Sequence, residues 1–302
     1  MIKKTLTSFV LSAAIISCNT AQEPATKERY HSVAFTPDNS FTGGAEGPAV
    51  DNAGNVYAVN YAKEGTIAII TPGGKAGIFV ALPNGSVGNG IRFNSKGEML
   101  VADYTNHNIL KVAIATKQVS IYAHDSTMSQ PNDIAIDNKD RLYASDPDWK
   151  TGTGRIWRVD TDGSITLLAD SMGTTNGIEV SPDNQKLYVN ESVQRNVWVY
   201  DLSDSGTISN KKLLISFPDF GMDGMRCDAD GNLYITRYGK GVVAKVSPGG
   251  ALLKEIPLLG KNSSNIAFGG PDGKTAYVTL QDKGNMETFR VEVAGREFKP
   301  QR

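Results

Sequence analysis

The stretch Asp223-Gly224-Met225-Arg226-Cys227-Asp228-Ala229-Asp230-Gly231-Asn232-Leu233-Tyr234-Ile235-Thr236-Arg237 decides the fold. A polar residue precedes the short apolar-alternating run Met225-Arg226-Cys227, the chain turns at Asp230-Gly231-Asn232, and Leu233 to Arg237 alternate apolar and polar side chains. Alternation at a period of two suits a strand packed against a core, and an Asp-Gly turn joins two such runs as an antiparallel hairpin. Further copies begin at Glu46, Asn89, Asn132, Asn176 and Asn265, with spacings of 42 to 47 residues between successive copies. Near-constant spacing belongs to a repeat rather than to independent hairpins. Two more strands follow in each unit; in the third, Gly154 to Val159 and Ser164 to Leu168 flank the turn Asp160 to Gly163 and complete a four-stranded sheet. Helical repeats of this length would space their apolar residues by three and four, and that pattern is missing. The predicted fold is all-β, a six-bladed β-propeller over residues 30–302.

The sixth copy ends on its third strand, Met286 to Glu292, and only a short tail follows. The unassigned β-like run His31 to Phe35 is therefore expected to supply the outer strand of the last blade, which protects both edges of the array.

Working outward to the N-terminus, Lys3 and Lys4 precede an apolar run from Leu6 to Ile16 that is too short to cross a bilayer as a helix. Ile15-Ile16-Ser17-Cys18 resembles a bacterial lipobox, so residues 1–18 read as a lipoprotein signal with Cys18 as the lipidation site, the alternative being a secretory signal with an incidental cysteine. Residues 19–29 are polar and aperiodic, a tether between lipid and domain. The expected location is the cell envelope, with membrane contact through the lipid only. With Cys18 acylated, Cys227 has no partner for an intramolecular disulfide and reads as an inert strand residue.

Among 302 residues, 31 Lys plus Arg against 32 Asp plus Glu leave a net charge of -1, which provides no drive toward nucleic acid. The expected partner is a small molecule and the expected state a monomer. Three histidines and two cysteines are too few and scattered for a zinc cluster of ordinary spacing. Asn and Asp, at 21 each, instead supply short oxygen ligands.

The inner strand of a propeller blade lines the central channel, so the residues that open the six copies converge on the axis. They are Glu46, Asn89, Asn132, Asn176, Asp223 and Asn265, and each carries a side-chain oxygen. Any one of them could be a turn former bonded to its own backbone. Together they form an all-oxygen set with two carboxylates, which a hard divalent cation would satisfy: Ca²⁺ first, with Mg²⁺, Mn²⁺ or Zn²⁺ as substitutes.

The phrases Glu46-Gly47-Pro48, Gln130-Pro131-Asn132-Asp133, Asn176-Gly177-Ile178, Asp223-Gly224-Met225 and Ala267 to Gly273 resemble the SMP-30/gluconolactonase family of six-bladed propellers over about residues 44 to 295. The resemblance implies a divalent metal on Glu46, Asn176 and Asp223, with Asn132 on the metal or the substrate beside it. It also implies hydrolysis of a sugar lactone, another lactone or a phosphotriester. Asn89, Asn132, Asp146 and Asn265 are the expected substrate contacts. Asp223 is the candidate general base in a metal-assisted attack of water on the lactone carbonyl, with direct nucleophilic attack by Asp223 as the alternative. Asp103, Asp133 and Glu191 also lie at strand ends, where they would either orient substrate or bond to turns. His107 and His124 read as surface loop residues. The rim loops Tyr61 to Gly65, Asp146 to Gly154 and Arg237 to Gly241 are expected to select the substrate. Two features depart from sugar lactonases: Ser145 to Trp149, where many family members have a further aromatic close to the Asp-Pro, so that a different substrate rim is expected, and Val101 to Ile109, which resembles an NHL repeat and supports a second reading as a non-enzymatic binding propeller.

Overall fold

The computed structural model describes Met1 and residues 28–298; the signal sequence, Cys18 and most of the tether lie outside the described residues. Among the described residues, twenty-four strands form six four-stranded antiparallel sheets, and no helix is present. Each of five blades is a run of four consecutive strands, and the sixth takes Ser263–Gly269, Thr275–Leu280 and Asn285–Arg290 from the end of the chain and Val33–Ala34 from its beginning. The expected six-bladed propeller with an N-terminal closing strand is thus the observed architecture.

The hairpin turn after each inner strand has a local cause. Asp228 Oδ1 accepts hydrogen bonds from the backbone N–H of Asp230 (3.0 Å) and Asn232 (2.9 Å), and Gly231 takes a left-handed φ of 83°. Asp51, Asn94 and Asp137 hold their turns in the same way.

The core lies between blades rather than in one place. Tyr57, Val59 and Ile67 of the first blade pack with Ile91, Val101 and Leu110 of the second, and corresponding clusters fill the other junctions. Middle strands, covered on both faces, are buried along their whole length in Met99–Asp103 and Leu233–Arg237, whereas the outer strand Leu252–Pro257 is almost wholly exposed. Phe41 and Ala45 pack with Tyr277 and Met286 to complete the ring.

The closing strand pairs Val33 with Thr288 and Ala34 with Glu287. Ser32 Oγ donates to Glu287 Oε2 (2.8 Å), and Phe35 lies against Tyr277 with ring centroids 5.0 Å apart. Deleting the chain through residue 36 is expected to lower the melting temperature by roughly 5 °C or more, because a paired edge and an aromatic contact are lost together. Deleting it through residue 27 leaves those contacts and is expected to leave the melting temperature unchanged; calorimetry of the two truncations checks both statements.

Candidate functional site

Five of the six axial residues, Glu46, Asn89, Asn132, Asn176 and Asp223, line one cavity of about 410 Å³ at the channel mouth where the inner strands begin. Their convergence depends on the glycine that follows most of them. A Cβ on Gly47 would lie 1.9 Å from the carbonyl oxygen of Asn89, and one on Gly224 would lie 2.0 Å from the Asn265 side chain. Only glycine lets the next blade's axial residue come this close.

Glu46 Oε2 accepts hydrogen bonds from Gly47 N (2.6 Å) and Asn265 Nδ2 (3.0 Å). Burial, reinforced by the charge of Asp133, pushes the Glu46 carboxyl up to about 7 from an ordinary 4.5. The Asp223 carboxyl is pushed well above the usual range by burial and then by the neighbouring Glu46 carboxyl, while Asn176 opposes the shift. The Oδ1 atoms of Asn89 and Asn176 are buried without a hydrogen-bond partner among the described residues. Two carboxylates that cannot both ionise comfortably and two orphaned carbonyl oxygens fit a hard divalent cation. Among the described residues no three His, Cys, Asp or Glu side chains group as metal ligands, so a cation at this mouth would draw its further donors from the carboxamides.

Two expected substrate contacts are placed differently. Asn265 stands behind Glu46, its Nδ2 on that carboxylate and its Oδ1 accepting from Ile266 N (2.8 Å), so it orients Glu46 and does not line the cavity. Asp146 is also absent from the lining: its buried carboxylate accepts from Ser129 N (2.8 Å), Gln130 N (2.6 Å) and Trp157 Nε1 (2.9 Å), fixing the approach to Asn132. Asp103 and Glu191 serve turns, accepting from Ser86 Oγ and Gly173 N respectively. Neither His107 nor His124 lines the cavity. Asp133 lies beneath the site in a buried pair with Arg226 (3.1 Å).

The rim loops contribute Glu64, Trp149 and Tyr238, as expected. Tyr104, Ser192 and Gln281 also line the cavity, and these were not singled out from sequence. A signal for them exists: Tyr104, Ser192, Tyr238 and Gln281 each follow the last residue of their blade's second strand, Asp103, Glu191, Arg237 and Leu280.

A six-bladed propeller with an all-oxygen axial site at one mouth is the class that fold and site define. The SMP-30/gluconolactonase/LRE-like family matches residues 45–282, and the chain belongs to that family. It is 30% identical to the pentonolactonase of Haloferax volcanii over 151 residues, 49% of this chain and 52% of that protein. It is 28% identical to the gluconolactonase of Zymomonas mobilis over 231 residues, 68% of this chain and 64% of that protein. The matches thus span between about half and two thirds of these relatives' own length. Regucalcin from Agrobacterium tumefaciens, described as a calcium-binding protein, shares the fold with a TM-score of 0.77 at 23% identity, over 88% of this chain and 95% of that one.

The sign of the Glu46 shift gives a test. A carboxyl raised from 4.5 to about 7 contributes stability that is fully present below its unfolded value and is lost as pH rises through about 7. Protein without added cation is therefore expected to melt lower at about pH 8 than at about pH 5, Glu46→Gln is expected to reduce that dependence while the raised Asp223 carboxyl retains the rest, and Ca²⁺ is expected to raise the melting temperature more at the higher pH. Calorimetry at the two pH values, with and without Ca²⁺, checks all three.

Proposed function

We propose that the cavity at the axial mouth is the active site of a divalent-cation-dependent lactonase. The observation that carries this reading is the meeting of Glu46 and Asp223 with the unpartnered carboxamide oxygens of Asn89 and Asn176 in one open cavity. Relatives named gluconolactonase and pentonolactonase support the reaction class, and a calcium-binding regucalcin with the same fold supports the choice of cation.

Glu46, Asn132, Asn176 and Asp223 would hold the ion. When bound, it neutralises the two carboxylates and polarises the lactone carbonyl. Asp223 accepts the proton of the attacking water and returns it to the ring oxygen as the carbon–oxygen bond breaks. Its main chain is anchored for this role: its carbonyl oxygen accepts from Asn190 Nδ2 (2.6 Å) and Gly177 N (3.2 Å). Tyr104, Trp149 and Tyr238 offer ring faces and hydroxyl or indole donors to the substrate. The leader adds to this proposal a lipid on Cys18 and an envelope location.

Asp223→Asn is expected to abolish turnover with the fold intact, because the amide keeps a ligand oxygen and loses the proton acceptor. Glu46→Gln is expected to recover much of its activity at saturating Ca²⁺. Turnover against rising Ca²⁺ for both variants decides: full rescue of Asp223→Asn makes Asp223 a ligand only. Wild-type lactone hydrolysis unaffected by exhaustive chelation removes the metal mechanism, and no hydrolysis of any lactone favours the binding-propeller reading.

None of the described residues lining the cavity is Lys or Arg, and Glu64 adds a third carboxylate. Uncharged aldonolactones are accordingly expected to exceed their phosphorylated or sulfonated counterparts in kcat/KM by about tenfold or more, a difference of about 1.4 kcal/mol. Parallel assays of matched neutral and anionic lactones check this.

A further inference from the structure

At the opposite mouth, where the inner strands end in their hairpin turns, lies a second cavity of about 540 Å³. The C-terminal segment crosses it. Ala294 O accepts from Ala229 N (2.8 Å), Gly295 bridges Asp228, and Arg296 N donates to Cys227 O (3.1 Å). The Arg296 guanidinium then reaches Glu179 Oε1 (3.0 Å), Ser181 O (3.4 Å) and Ile136 O, while Glu297 Oε1 lies 3.2 Å from Arg92 Nε. Two adjacent side chains thus tie inner strands of the second, third and fourth blades, and their backbone ties the fifth. The segment itself lies beyond residue 282, where the family match ends, and its partners lie within the match.

The residues they meet form a buried ionic layer across the channel. Asp133 is 3.1 Å from Arg226 and 3.5 Å from Arg92, and Arg92 is 3.6 Å from Glu179; each of these four side chains is at most 4% exposed. Arg92, Arg226 and Arg296 balance Asp133, Glu179 and Glu297. Asp133 directly follows Asn132, and its charge is felt by both Glu46 and Asp223. The layer is therefore the electrostatic floor of the axial site, adjacent to it along the chain.

We propose that Arg296 and Glu297 are positioning residues for the axial cation site, completing a charge-balanced layer with Arg92, Asp133, Glu179 and Arg226 that sets the field beneath the ion and holds the Asn132–Asp133 segment. The inference rests on the reading of the axial mouth as a cation site, and not on which substrate is hydrolysed. Removing Glu297's charge leaves the layer positive and opposes a divalent ion above it. Removing Arg296's charge leaves the layer negative and favours one.

The test is calorimetric titration of the full chain with Ca²⁺ as wild type, Glu297→Gln, Arg296→Gln and the double variant, with melting temperatures recorded alongside. Glu297→Gln is expected to weaken binding by roughly 3- to 10-fold, Arg296→Gln to tighten it by a similar factor, and the double variant to return toward wild type. A purely structural role would weaken binding in both single variants, because a loosened floor disorders the ligands whichever charge is lost. That result, or single-variant affinities within about twofold of wild type, overturns the proposal. If Arg296→Gln fails to fold, Glu297→Asp takes its place: it keeps the charge and is expected to bind Ca²⁺ within about twofold of wild type while Glu297→Gln weakens, whereas equal weakening in both overturns the proposal. Wild-type protein that binds no divalent ion would overturn the cation-site reading and this inference together, whereas tight wild-type binding with unmoved variants overturns this inference only.

Discussion

The molecule depends on how closely its inner strands approach one another at the axis. Gly90 N donates to Asn132 O (2.8 Å), Gly177 N to Asp223 O (3.2 Å) and Gly224 N to Ser264 O (2.7 Å), each bond running from one blade's innermost strand to the next. Strands of one sheet are expected to bond within it; these bonds cross between sheets, and a side chain at the glycine would prevent them. The same contact draws the side chains of Glu46, Asn89, Asn132, Asn176 and Asp223 around one cavity. Fold closure and site assembly are thus one constraint, and the Glu-Gly, Asn-Gly and Asp-Gly pairs are its record in the chain.

Two layers of polar residues follow from this geometry, stacked along one channel. The upper layer has carboxylates and carboxamides without counterions and is open to solvent. The lower layer, built on Arg92, Asp133, Glu179 and Arg226, has its charges paired and is buried. A charge left unpaired at the lower level would be costly, whereas at the upper level it creates affinity for a ligand from outside. The contrast explains how the protein holds many charges near its axis while leaving carboxylates without counterions at one mouth.

Much of this was legible in the chain. The repeat revealed the blades, the unfinished sixth copy pointed to the N-terminal strand, and the axial oxygens named the residues that line the mouth. Asn265 and Asp146, expected to touch substrate, lie outside the cavity lining, because a position at a strand's start or end does not say which neighbour consumes the side chain. Both are spent on hydrogen bonds inside the protein. The lower layer went unread for a different reason. Arg92, Glu179 and Arg226 stand three residues after their axial partners, a spacing that simple alternation assigns to the opposite face. Register shifts between Gly88 and Ile91 and between Thr175 and Ile178 reset that alternation, and such bulges leave no reliable mark in a single sequence. The C-terminal Arg296-Glu297 pair looked like a tail because its partners are contributed by four other blades.

The closing strand has a consequence for how the ring comes into being. Ser32 meets Glu287 across 255 positions of chain, so the last blade pairs segments that leave the ribosome at opposite ends of synthesis. Five blades can form as local meanders of consecutive strands while the chain is still emerging, each with short loops to close. The sixth must wait for its final strands while the beginning of the chain stays available. Ring closure is therefore the slow, long-range event of folding, and until it happens an open edge of Asn285–Arg290 faces solvent.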